Sequence, residues 1–345
     1  MDEPTSVLTP QEVEILFATL RKLSADGVSV LYISHKLEEI RALCHTATIL
    51  RQGRKVATCT PKDVSAREMA EMMVGVSFNA ATRSSRPTGD AALTVEGLSL
   101  KASSQFGTSL KDISFTLRQG EVLGIGGVAG NGQDELLSAL SGETATDPGS
   151  ISLHGQDISR LGPNGRRRLG LLSAPEERLG HAAAPNMSLV ENAALTGAER
   201  QGLLSGGVLN WPAARGFTKN VISGFDVRTP GPQVAARSLS GGNLQKFVIG
   251  REMLQKPDVL VVNQPTWGVD AAAAAAIRQA ILDLATNGAA VLCISQDLDE
   301  LLEISDRFGA LNEGRLSLIL QTSELSVDEI GLMMGGAHEL DAAHG

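Results

Sequence analysis

Two stretches of the chain have the outline of a strand that delivers polar side chains to a phosphate site. In "VLVVNQPTWGVDA", residues 259–271, four apolar residues lead into Asn263 and Gln264. The first residues of the chain, "MDEPTSVLTP", have the same outline with Asp2 and Glu3 in place of the two amides. Chemistry on phosphates at such a position normally needs carboxylates, so the two stretches predict sites of unequal competence.

A Gly-rich loop, "GVAGNGQD" at residues 127–134, has the length of the phosphate-binding pattern G-x-x-x-x-G-K-[ST]. Such loops hold phosphate because successive backbone N–H groups and the first turn of a helix converge on it. Gln133 stands at the lysine position and Asp134 at the Ser/Thr position, so a phosphate-binding cation and a magnesium-binding hydroxyl are both replaced. The loop alone is a weak signal, since an ordinary strand-to-helix turn also fits. The other loop residues expected at a ligand are Gly127, Gly130, Asn131 and Gly132.

A second helix start suited to an anion lies in "RSLSGGNLQK", residues 237–246. Ser240, Gly241 and Gly242 precede a helical pattern, where free backbone N–H groups would face a ligand. An apolar strand pattern that ends at Asn263 follows it. This order of motifs is far more specific than the Gly-rich loop alone.

The start of the chain repeats its end at a constant offset of 261 residues. The register holds without a gap over more than seventy residues, which indicates a duplicated domain. The matched pairs are Glu3 and Gln264, His35 and Gln296, Gly53 and Gly314, and Met72 and Met333.

The repeat predicts the domain organisation. Residues 1–80 would be the C-terminal fragment of a first copy, and residues 81–92, which are polar and carry Pro and Gly, would be a linker. Residues 93–336 would be a complete second copy, and residues 337–345 a disordered tail.

The elements that must position these motifs alternate between apolar runs of strand length and helical patterns. The runs in the second copy lack polar alternation, as expected of strands that are buried on both faces. The alternation predicts an α/β fold with a mostly parallel central sheet. The expected strands are 121–125, 258–262 and 289–295 in the second copy and 29–34 in the first, and the expected helices are 134–140, 271–288, 11–25 and 36–43.

Bulk composition narrows the class of protein. The formal net charge of −9 argues against a nucleic-acid-binding protein, which normally has a basic face. The three cysteines show no metal-ligand spacing, which favours a reduced, cytoplasmic setting. No apolar run has the length of a membrane span and the start lacks a signal-peptide pattern, so we expect a link to a membrane only through a partner.

With these motifs in this order, the chain resembles the ATP-binding-cassette (ABC) ATPases, and more narrowly the tandem-cassette subunits of bacterial sugar and nucleoside importers. The matching segments cover nearly the whole chain: "GVAGNGQDEL", "PEERLG", "MSLVEN", "LSGGNLQK", "QPTWGVD" and "ISQDLDE". The resemblance implies a P-loop NTPase fold with an antiparallel β subdomain and a helical subdomain beside the parallel sheet. It also implies ATP and Mg²⁺ as cofactors.

The family pattern implies a role for each site residue. Asp2 would support Mg²⁺, Glu3 would polarise the attacking water and His35 would contact the γ-phosphate. In the family each ATP lies between the Gly-rich loop of one cassette and the Ser-Gly-Gly motif of the other. The second copy has lost charge or basicity at its own nucleotide site, so we expect this site to be degenerate. The substituted positions are Gln133, Asp134, Asn263, Gln264 and Gln296.

The chain also departs from the family pattern. The Gly-rich loop and the Ser-Gly-Gly motif of a first cassette, expected upstream of Asp2, do not occur in it, so the resemblance is to a cassette pair truncated at the N-terminus. We therefore expect weak or absent ATPase activity from the isolated chain.

The implied function is the ATP-binding, energy-coupling subunit of an importer, peripheral on the cytoplasmic face of the plasma membrane. Its partners would be transmembrane permease subunits and, indirectly, a substrate-binding protein. A homodimer is also possible, and no nucleic-acid partner is expected. Two alternatives remain: a soluble ABC protein acting in translation or DNA repair, and a regulatory pseudo-ATPase that binds nucleotide as a structural ligand.

Overall fold

A computed structural model describes most of the second copy and parts of the first. The described residues are 1, 4–5, 8, 10–34, 37–51, 54–65, 68–69, 72, 88–102, 107–325 and 327–334. The described elements of the first copy are α1 (Pro10–Ala25), α2 (Leu37–Leu43), β1 (Ala47–Arg51) and β2 (Arg54–Cys59). The strands and helices of the second copy, in chain order, are β3 (Ala91–Leu100), β4 (Leu110–Arg118), β5 (Val122–Gly126), α3 (Gln133–Ser141), β6 (Ile151–Leu153), β7 (Gln156–Asp157), α4 (Pro163–Arg168), β8 (Leu171–Ala174), α5 (Leu189–Gly197), β9 (Leu204–Ser205), β10 (Val208–Leu209), α6 (Trp211–Gly224), α7 (Gly241–Met253), β11 (Val259–Asn263), α8 (Ala271–Thr286), β12 (Ala290–Ser295), α9 (Leu298–Ile304), β13 (Arg307–Asn312), β14 (Arg315–Leu316), β15 (Leu320–Gln321) and α10 (Val327–Met334).

The central sheet of the second copy is mostly parallel, which confirms the predicted fold class. Its strands are ordered β14-β13-β5-β12-β11-β8, and β15 also pairs with β13. The pairs from β13 through β5, β12 and β11 to β8 are all parallel, while β14 and β15 pair antiparallel to β13. Every residue of β5, β11 and β12 is buried, as expected for strands covered on both faces. Consequently the ends of β5, β11 and β12 lie side by side at one edge of the sheet.

The two smaller layers implied by the resemblance are also present. An antiparallel sheet of order β4-β3-β6-β7 contributes to one of the two large hydrophobic cores, together with residues of β5, β11 and β12. Helices α5 and α6 pack together, and the β9–β10 hairpin lies between them in sequence. Of the helices in the described part of the chain, none is both long enough and apolar enough to cross a membrane.

A buried ion cluster ties α7 to α4 and to the loop after β8. Glu252 is completely buried, and its carboxylate accepts from the guanidinium of Arg167 and from that of Arg251, the latter at 2.7 Å. Arg251 also donates to the carbonyl oxygen of Ala182 at 2.8 Å. Because an unpaired charge would be costly in this interior, the cluster fixes the helix and the loop relative to each other.

The first copy has a separate small core but lacks the strand predicted for residues 29–34. Phe17 and Tyr32 meet edge to face, with ring centroids 6.4 Å apart, and Leu20 packs beside them. Residues 28–34 form no strand. Among the described residues, their backbone hydrogen bonds join Leu31 and Ile33 to Met1, and Val28 to Leu23. The prediction was wrong because a buried strand needs neighbours on both edges, and the described part of the first copy supplies none comparable to β5 and β11.

Candidate functional site

The Gly-rich loop joins β5 to α3, so the predicted strand–loop–helix arrangement is present. Gly132 caps the start of α3 with a φ of 112°, a backbone conformation that side chains with a Cβ rarely adopt. At Gly127, an added Cβ would lie only 2.6 Å from the carbonyl oxygen of Leu311. Both glycines are therefore required by the shape of the loop.

The side chain of Gln133 turns back into this loop. Its Nε2 donates to the carbonyl oxygen of Val128 at 2.9 Å, and its Oε1 accepts the backbone N–H of Asn131 at 3.0 Å. Asn131 is fixed in turn, because its Oδ1 accepts the backbone N–H of Glu313 at 2.8 Å. Gln133, at the lysine position, thus carries no charge. Its Oε1 also accepts the backbone N–H of Asn131, which a phosphate could otherwise use.

Asp134, in the first turn of α3, contacts Asn263 at the end of β11. The Nδ2 of Asn263 donates to Oδ1 of Asp134 at 3.1 Å. Asn263 is 1% exposed, and its own Oδ1 is buried without a partner among the described residues. Burial raises the pKa of the Asp134 carboxyl, and Glu135 raises it further, while His181 lowers it. The negative charge of the Asp134 carboxylate is therefore only partly balanced by the neighbouring His181.

Gln264 and Gln296 follow the adjacent strands β11 and β12. Gln264 is buried with a φ of 52°, and its Oε1 lies 3.3 Å from the hydroxyl of Ser295. That hydroxyl is closer to Glu300, to which it donates its single hydrogen at 2.8 Å. Burial raises the pKa of Glu300 to about 7, and hydrogen bonds from Thr266 and Ser295 lower it in part. The amide at position 264 thus adjoins a buried carboxyl that is neutral over part of the physiological pH range.

The Ser-Gly-Gly motif begins α7, as the sequence predicts. Ser240 is the N-cap residue, and Gly241 and Gly242 are the first two residues of the helix. One turn further on, the Nε2 of Gln245 donates to the carbonyl oxygens of Gln264 at 3.1 Å and of the following proline at 2.9 Å. The helix that carries the motif is therefore fixed to the turn after β11.

Arg178, in the "PEERLG" segment, bridges the same two features. Its guanidinium donates to the carbonyl oxygen of Trp267. A Cβ added to Gly241 would lie 2.7 Å from the Nη1 of Arg178, so a side chain there would displace the guanidinium. Burial lowers the pKa of Arg178, and Glu176 partly offsets this effect.

One cavity of about 980 Å³ runs between the Gly-rich loop and the start of α7. The predicted site residues that line it are Gly130, Gln133, Asp134, Gly241, Gln264 and Gln296, together with Asn263. Gly127, Asn131, Gly132, Ser240 and Gly242 lie in the adjoining loop and helix start but do not line it.

The described lining of this cavity is rich in carboxylates. The acidic residues are Asp134, Glu135, Glu143, Glu176 and Glu177, and the basic residues are Lys101, Arg178 and His181. The His181 ring lies 2.9 Å from the carboxylate of Glu143. Burial and the nearby Asp134 raise the pKa of Glu176. A polyanion such as nucleotide phosphate would therefore meet unfavourable charge on this wall unless a cation accompanied it.

The predicted catalytic residues Glu3 and His35 and the predicted metal ligand Asp2 lie outside the described residues. Their expected roles therefore remain predictions.

Sequence reasoning missed the group formed by Thr266, Ser295 and Glu300. A signal for it was present, because the same three residue types occur 261 positions earlier as Thr5, Ser34 and Glu39. These three residues are identical in the two copies. The sequence interpretation considered only the positions that differ between the copies and therefore missed them.

The donor atoms at the site fit a magnesium–nucleotide complex better than free phosphate. Among the described residues, no group of three or more His, Cys, Asp or Glu side chains is placed to hold a metal by itself. Mg²⁺ in nucleotide sites commonly uses only one or two protein oxygens and takes the others from phosphate and water. The carboxylate of Asp134 and the unpartnered Oδ1 of Asn263 are oxygens of that kind.

The fold and the site together define an ATP-binding cassette. The family model described as "ABC transporter" matches residues 110–267. Among solved structures, the chain is similar to an ATP-binding subunit of an ABC transporter, with a TM-score of 0.56 and 21% identity over 71% of this chain and 99% of that one. It is also similar to a dimeric cassette bound to ADP and Pi, with a TM-score of 0.57 and 17% identity over 67% of this chain and 98% of that one. At these identities the structures establish the fold alone.

Three relatives are more similar in sequence than these structures. The glucose import ATP-binding protein TsgD13 of Haloferax volcanii is 38% identical across the whole chain, which covers 63% of that protein. The nucleoside import ATP-binding protein NupA of Lactococcus lactis subsp. cremoris is 37% identical over 98% of the chain and 67% of NupA. The guanosine import ATP-binding protein NupO of Bacillus subtilis is 36% identical over 99% of the chain and 67% of NupO. The chain belongs to the ABC transporter ATP-binding family, and it spans about two thirds of the length of these relatives.

Proposed function

We propose that this chain is an ATP-binding, energy-coupling component of an importer for sugars or nucleosides, and that its described nucleotide site is degenerate. The observation that carries the proposal is the strand–loop–helix at residues 122–141, with Asp134 hydrogen-bonded to Asn263 at the edge of the sheet. The sugar and nucleoside import functions of the relatives support the choice of substrate class.

The side chains of the site support binding without efficient hydrolysis. An amide at Gln264 cannot accept a proton from water as a carboxylate can, and Gln133 supplies no charge to the phosphates. Gln264 is also buried against Ser295, whose hydroxyl lies 3.3 Å from its Oε1. In this proposal the site responds to nucleotide by binding, and bond cleavage belongs to a site that includes Asp2, Glu3 and His35.

Partners and location follow from the same proposal. The chain would act with transmembrane permease subunits, and through them with a substrate-binding protein, at the cytoplasmic face of the plasma membrane.

Nucleotide binding is tested with a fluorescent ATP analogue in the presence of Mg²⁺. Gly132→Ala should weaken binding about tenfold or more, because the loop needs the left-handed backbone at this position (φ 112°). The matched control is Gly288→Ala, at a left-handed glycine (φ 95°) with open space around it in the α8–β12 turn, which should change affinity less than about twofold. Nucleotide recovered from the wild-type chain should remain the triphosphate. Equal losses in the two variants, or no binding by the wild type, would count against the site.

Co-purification distinguishes the importer from the other candidates. The tagged full chain, extracted from its host in mild detergent, should bring down polytopic membrane proteins. Recovery of ribosomes or DNA instead would favour a soluble ABC protein in translation or repair.

A regulatory pseudo-ATPase is the second candidate, and the inward-turned Gln133 favours it. It predicts nucleotide binding without permease in the extract, and stabilisation of the fold by nucleotide. Recovery of permease together with nucleotide-dependent release of substrate would decide for the importer.

A further inference from the structure

The hydroxyl of Ser295 has two acceptors beside it but only one hydrogen. Its Oγ lies 2.8 Å from Oε2 of Glu300 and 3.3 Å from Oε1 of Gln264. The same Oγ accepts the backbone N–H of Asp297 at 3.0 Å. When Glu300 is ionised, both side-chain oxygens can only accept, so one of them receives no hydrogen from Ser295. The shorter contact and the negative charge assign the hydrogen to Glu300, and Oε1 of Gln264 is then left without it.

A proton on Glu300 resolves this conflict. The neutral carboxyl donates to Oγ of Ser295, which still accepts from Asp297 with its second lone pair. The hydroxyl hydrogen of Ser295 can then go to Oε1 of Gln264, at the 3.3 Å separation that the structure shows. With the Gln264 amide oriented as it is, all three contacts of the hydroxyl are satisfied only in this state.

Ionised Glu300 favours the opposite orientation of the Gln264 amide. A half-turn about the last side-chain torsion exchanges Oε1 and Nε2, which have nearly the same shape. Nε2 then donates to Oγ of Ser295, whose hydrogen stays with the carboxylate. Because Gln264 also lines the cavity, the atom turned away from Ser295 is the one available to a ligand. The ligand therefore meets a donor when Glu300 is neutral and an acceptor when Glu300 is ionised.

The surroundings of Glu300 place this change of charge near neutral pH. The residue is 2% exposed, and burial raises the pKa of its carboxyl to about 7. Asp297, at the start of α9, also raises this pKa, whereas hydrogen bonds from Thr266 and Ser295 and the charge of Arg278 lower it. Both charge states of Glu300 are therefore populated at physiological pH.

The elements packed around Glu300 carry further titratable groups among the described residues. Arg278, on α8, is paired with Glu303 of α9 at 2.7 Å. Burial raises the pKa of the Cys293 thiol, on β12, well above its ordinary value, so the thiol is neutral. Strand β5, which also packs against α9, consists of apolar residues and glycine. The nearby cation is thus already paired, and Glu300 is the buried group of this cluster that changes charge near pH 7.

We propose that Glu300 is a positioning residue whose protonation, acting through Ser295, turns the donor end of the Gln264 amide toward nucleotide in the cavity. Neutral Glu300 then gives tighter binding than ionised Glu300, because Nε2 donates to phosphate oxygens whereas Oε1 repels them. The inference rests on the proposed nucleotide-binding function and adds a pH-dependent control of that site. By linkage, bound nucleotide in turn favours the protonated form of Glu300.

The test measures the affinity of the full chain for a fluorescent ATP analogue in Mg²⁺ between pH 6 and pH 9. Glu300→Gln donates to Ser295 at every pH, so it imitates the neutral carboxyl. Relative to this variant, the wild type should lose about three- to tenfold in affinity as pH rises through 7. Asp299→Asn is the matched control: it removes an exposed carboxylate one residue away on α9 and should keep the pH dependence of the wild type. Titration of the analogue itself is the same for all variants and cancels in the comparison.

Ser295→Ala separates the effect of the hydroxyl from a direct effect of charge. It removes the group between Glu300 and Gln264 but leaves the carboxyl in place, so the pH dependence should be lost. If the dependence persisted in this variant, the ionised carboxylate would act on phosphate through space, and the inference would be overturned.

Proton uptake on binding is a second readout that does not depend on the stability of Ser295→Ala. Calorimetry near pH 7 in two buffers of different ionisation enthalpy measures the protons taken up when the analogue binds. The wild type should take up more protons per bound nucleotide than Glu300→Gln, because binding favours neutral Glu300.

The outcomes separate the inference from the function on which it rests. The same pH profile and the same proton uptake in wild type and Glu300→Gln would overturn the inference and leave the nucleotide site intact. Tighter binding by the wild type at pH 9 than at pH 6, relative to Glu300→Gln, would overturn it as well. Absence of binding at every pH would overturn the proposed function together with the inference.

Discussion

The described part of residues 1–69 and the end of the second copy have the same helices but differ in the segment between them. Helices α1 and α2 begin and end 261 residues before α8 and α9, so all four helix boundaries coincide at the offset of the sequence repeat. Between the helices of each pair lies an apolar run. In the second copy it is β12, and in the first copy residues 28–34 form no strand.

A hydroxyl–carboxyl group recurs in both copies. In the first copy, the Thr5 hydroxyl lies 2.7 Å from Oε1 of Glu39, and the Ser34 hydroxyl lies 3.4 Å from its Oε2. In the second copy, Thr266 and Ser295 donate to Glu300. Both groups join the turn that contains the threonine to the helix after the apolar run. The duplication is therefore supported by side-chain contacts as well as by sequence register.

The difference between the copies shows which features form from the residues of one segment alone. A helix and a short-range hydrogen-bond group need only the residues within one segment, so both copies form them. A buried strand needs partners from distant parts of the chain, and β12 has them in β5 and β11. The same pattern leaves Leu31 and Ile33 exposed in the first copy, at 76% and 51%.

The largest expected effect comes from truncating the same residue type in the two runs. Leu292→Ala, in β12, should lower the free energy of unfolding of the second copy by about 2–5 kcal/mol, because Leu292 is completely buried. Leu31→Ala, at the matching position, should change stability by less than about 0.5 kcal/mol. Urea unfolding followed by tryptophan fluorescence reports on the second copy, since both tryptophans, Trp211 and Trp267, lie there.

Hydrogen exchange of the α1 amides supplies the readout for the first copy. If Leu31→Ala abolished protection of α1, the run at residues 28–34 would be packed as in β12. The proposed difference between a buried strand in the second copy and an exposed run in the first copy would then be wrong.

A smaller effect, with a defined pH dependence, is expected at Glu300. Its pKa is raised from 4.5 to about 7, so its contribution to stability is fully present below the ordinary pKa and is lost as pH rises through 7. Glu300→Gln cannot ionise, and at pH 8 it should be more stable than the wild type by up to about 3 kcal/mol. At pH 5 the gain should be much smaller, and the measurement is urea unfolding at both pH values.

Glu39→Gln is the matched change in the first copy, and the opposite sign is expected there. Glu39 accepts the hydroxyls of Thr5 and Tyr32, the latter at 2.7 Å, so an amide would lose acceptor strength. A loss of about 1–2 kcal/mol in the protection of α2 amides at pH 8 is expected. Stabilisation by both substitutions, or a pH-independent gain in Glu300→Gln, would contradict the contrast.

The sequence was a good guide where local pattern decides the structure. Apolar runs placed β11 and β12 to within one residue, and the Gly-rich stretch correctly predicted a strand, a loop and α3. The run at residues 29–34 was misread because its apolar pattern is satisfied only by strands that lie elsewhere in the chain.

At the site, sequence could identify positions but not their contacts. The pattern singled out Gln133, Asp134 and Asn263, and the structure brings them to one cavity. It could not predict that Gln133 turns back into the loop or that Asp134 and Asn263 share a hydrogen bond. Those outcomes depend on side-chain rotamers and on charge in three dimensions, which neither spacing nor composition contains.

The smallest expected effect tests whether the two hydroxyl–carboxyl groups are equivalent. Thr5→Val and Thr266→Val each remove one hydroxyl donor to the matching carboxyl, which should cost about 1 kcal/mol in each copy. Because the Thr266 bond lowers the pKa of Glu300, Thr266→Val should raise that pKa further and cost more at pH 8 than at pH 5. Hydrogen exchange of α2 and α9 measures both losses in parallel. A loss of stability in only one copy would contradict this expectation. The recurring residues would then have similar contacts in both copies but would stabilise only one of them.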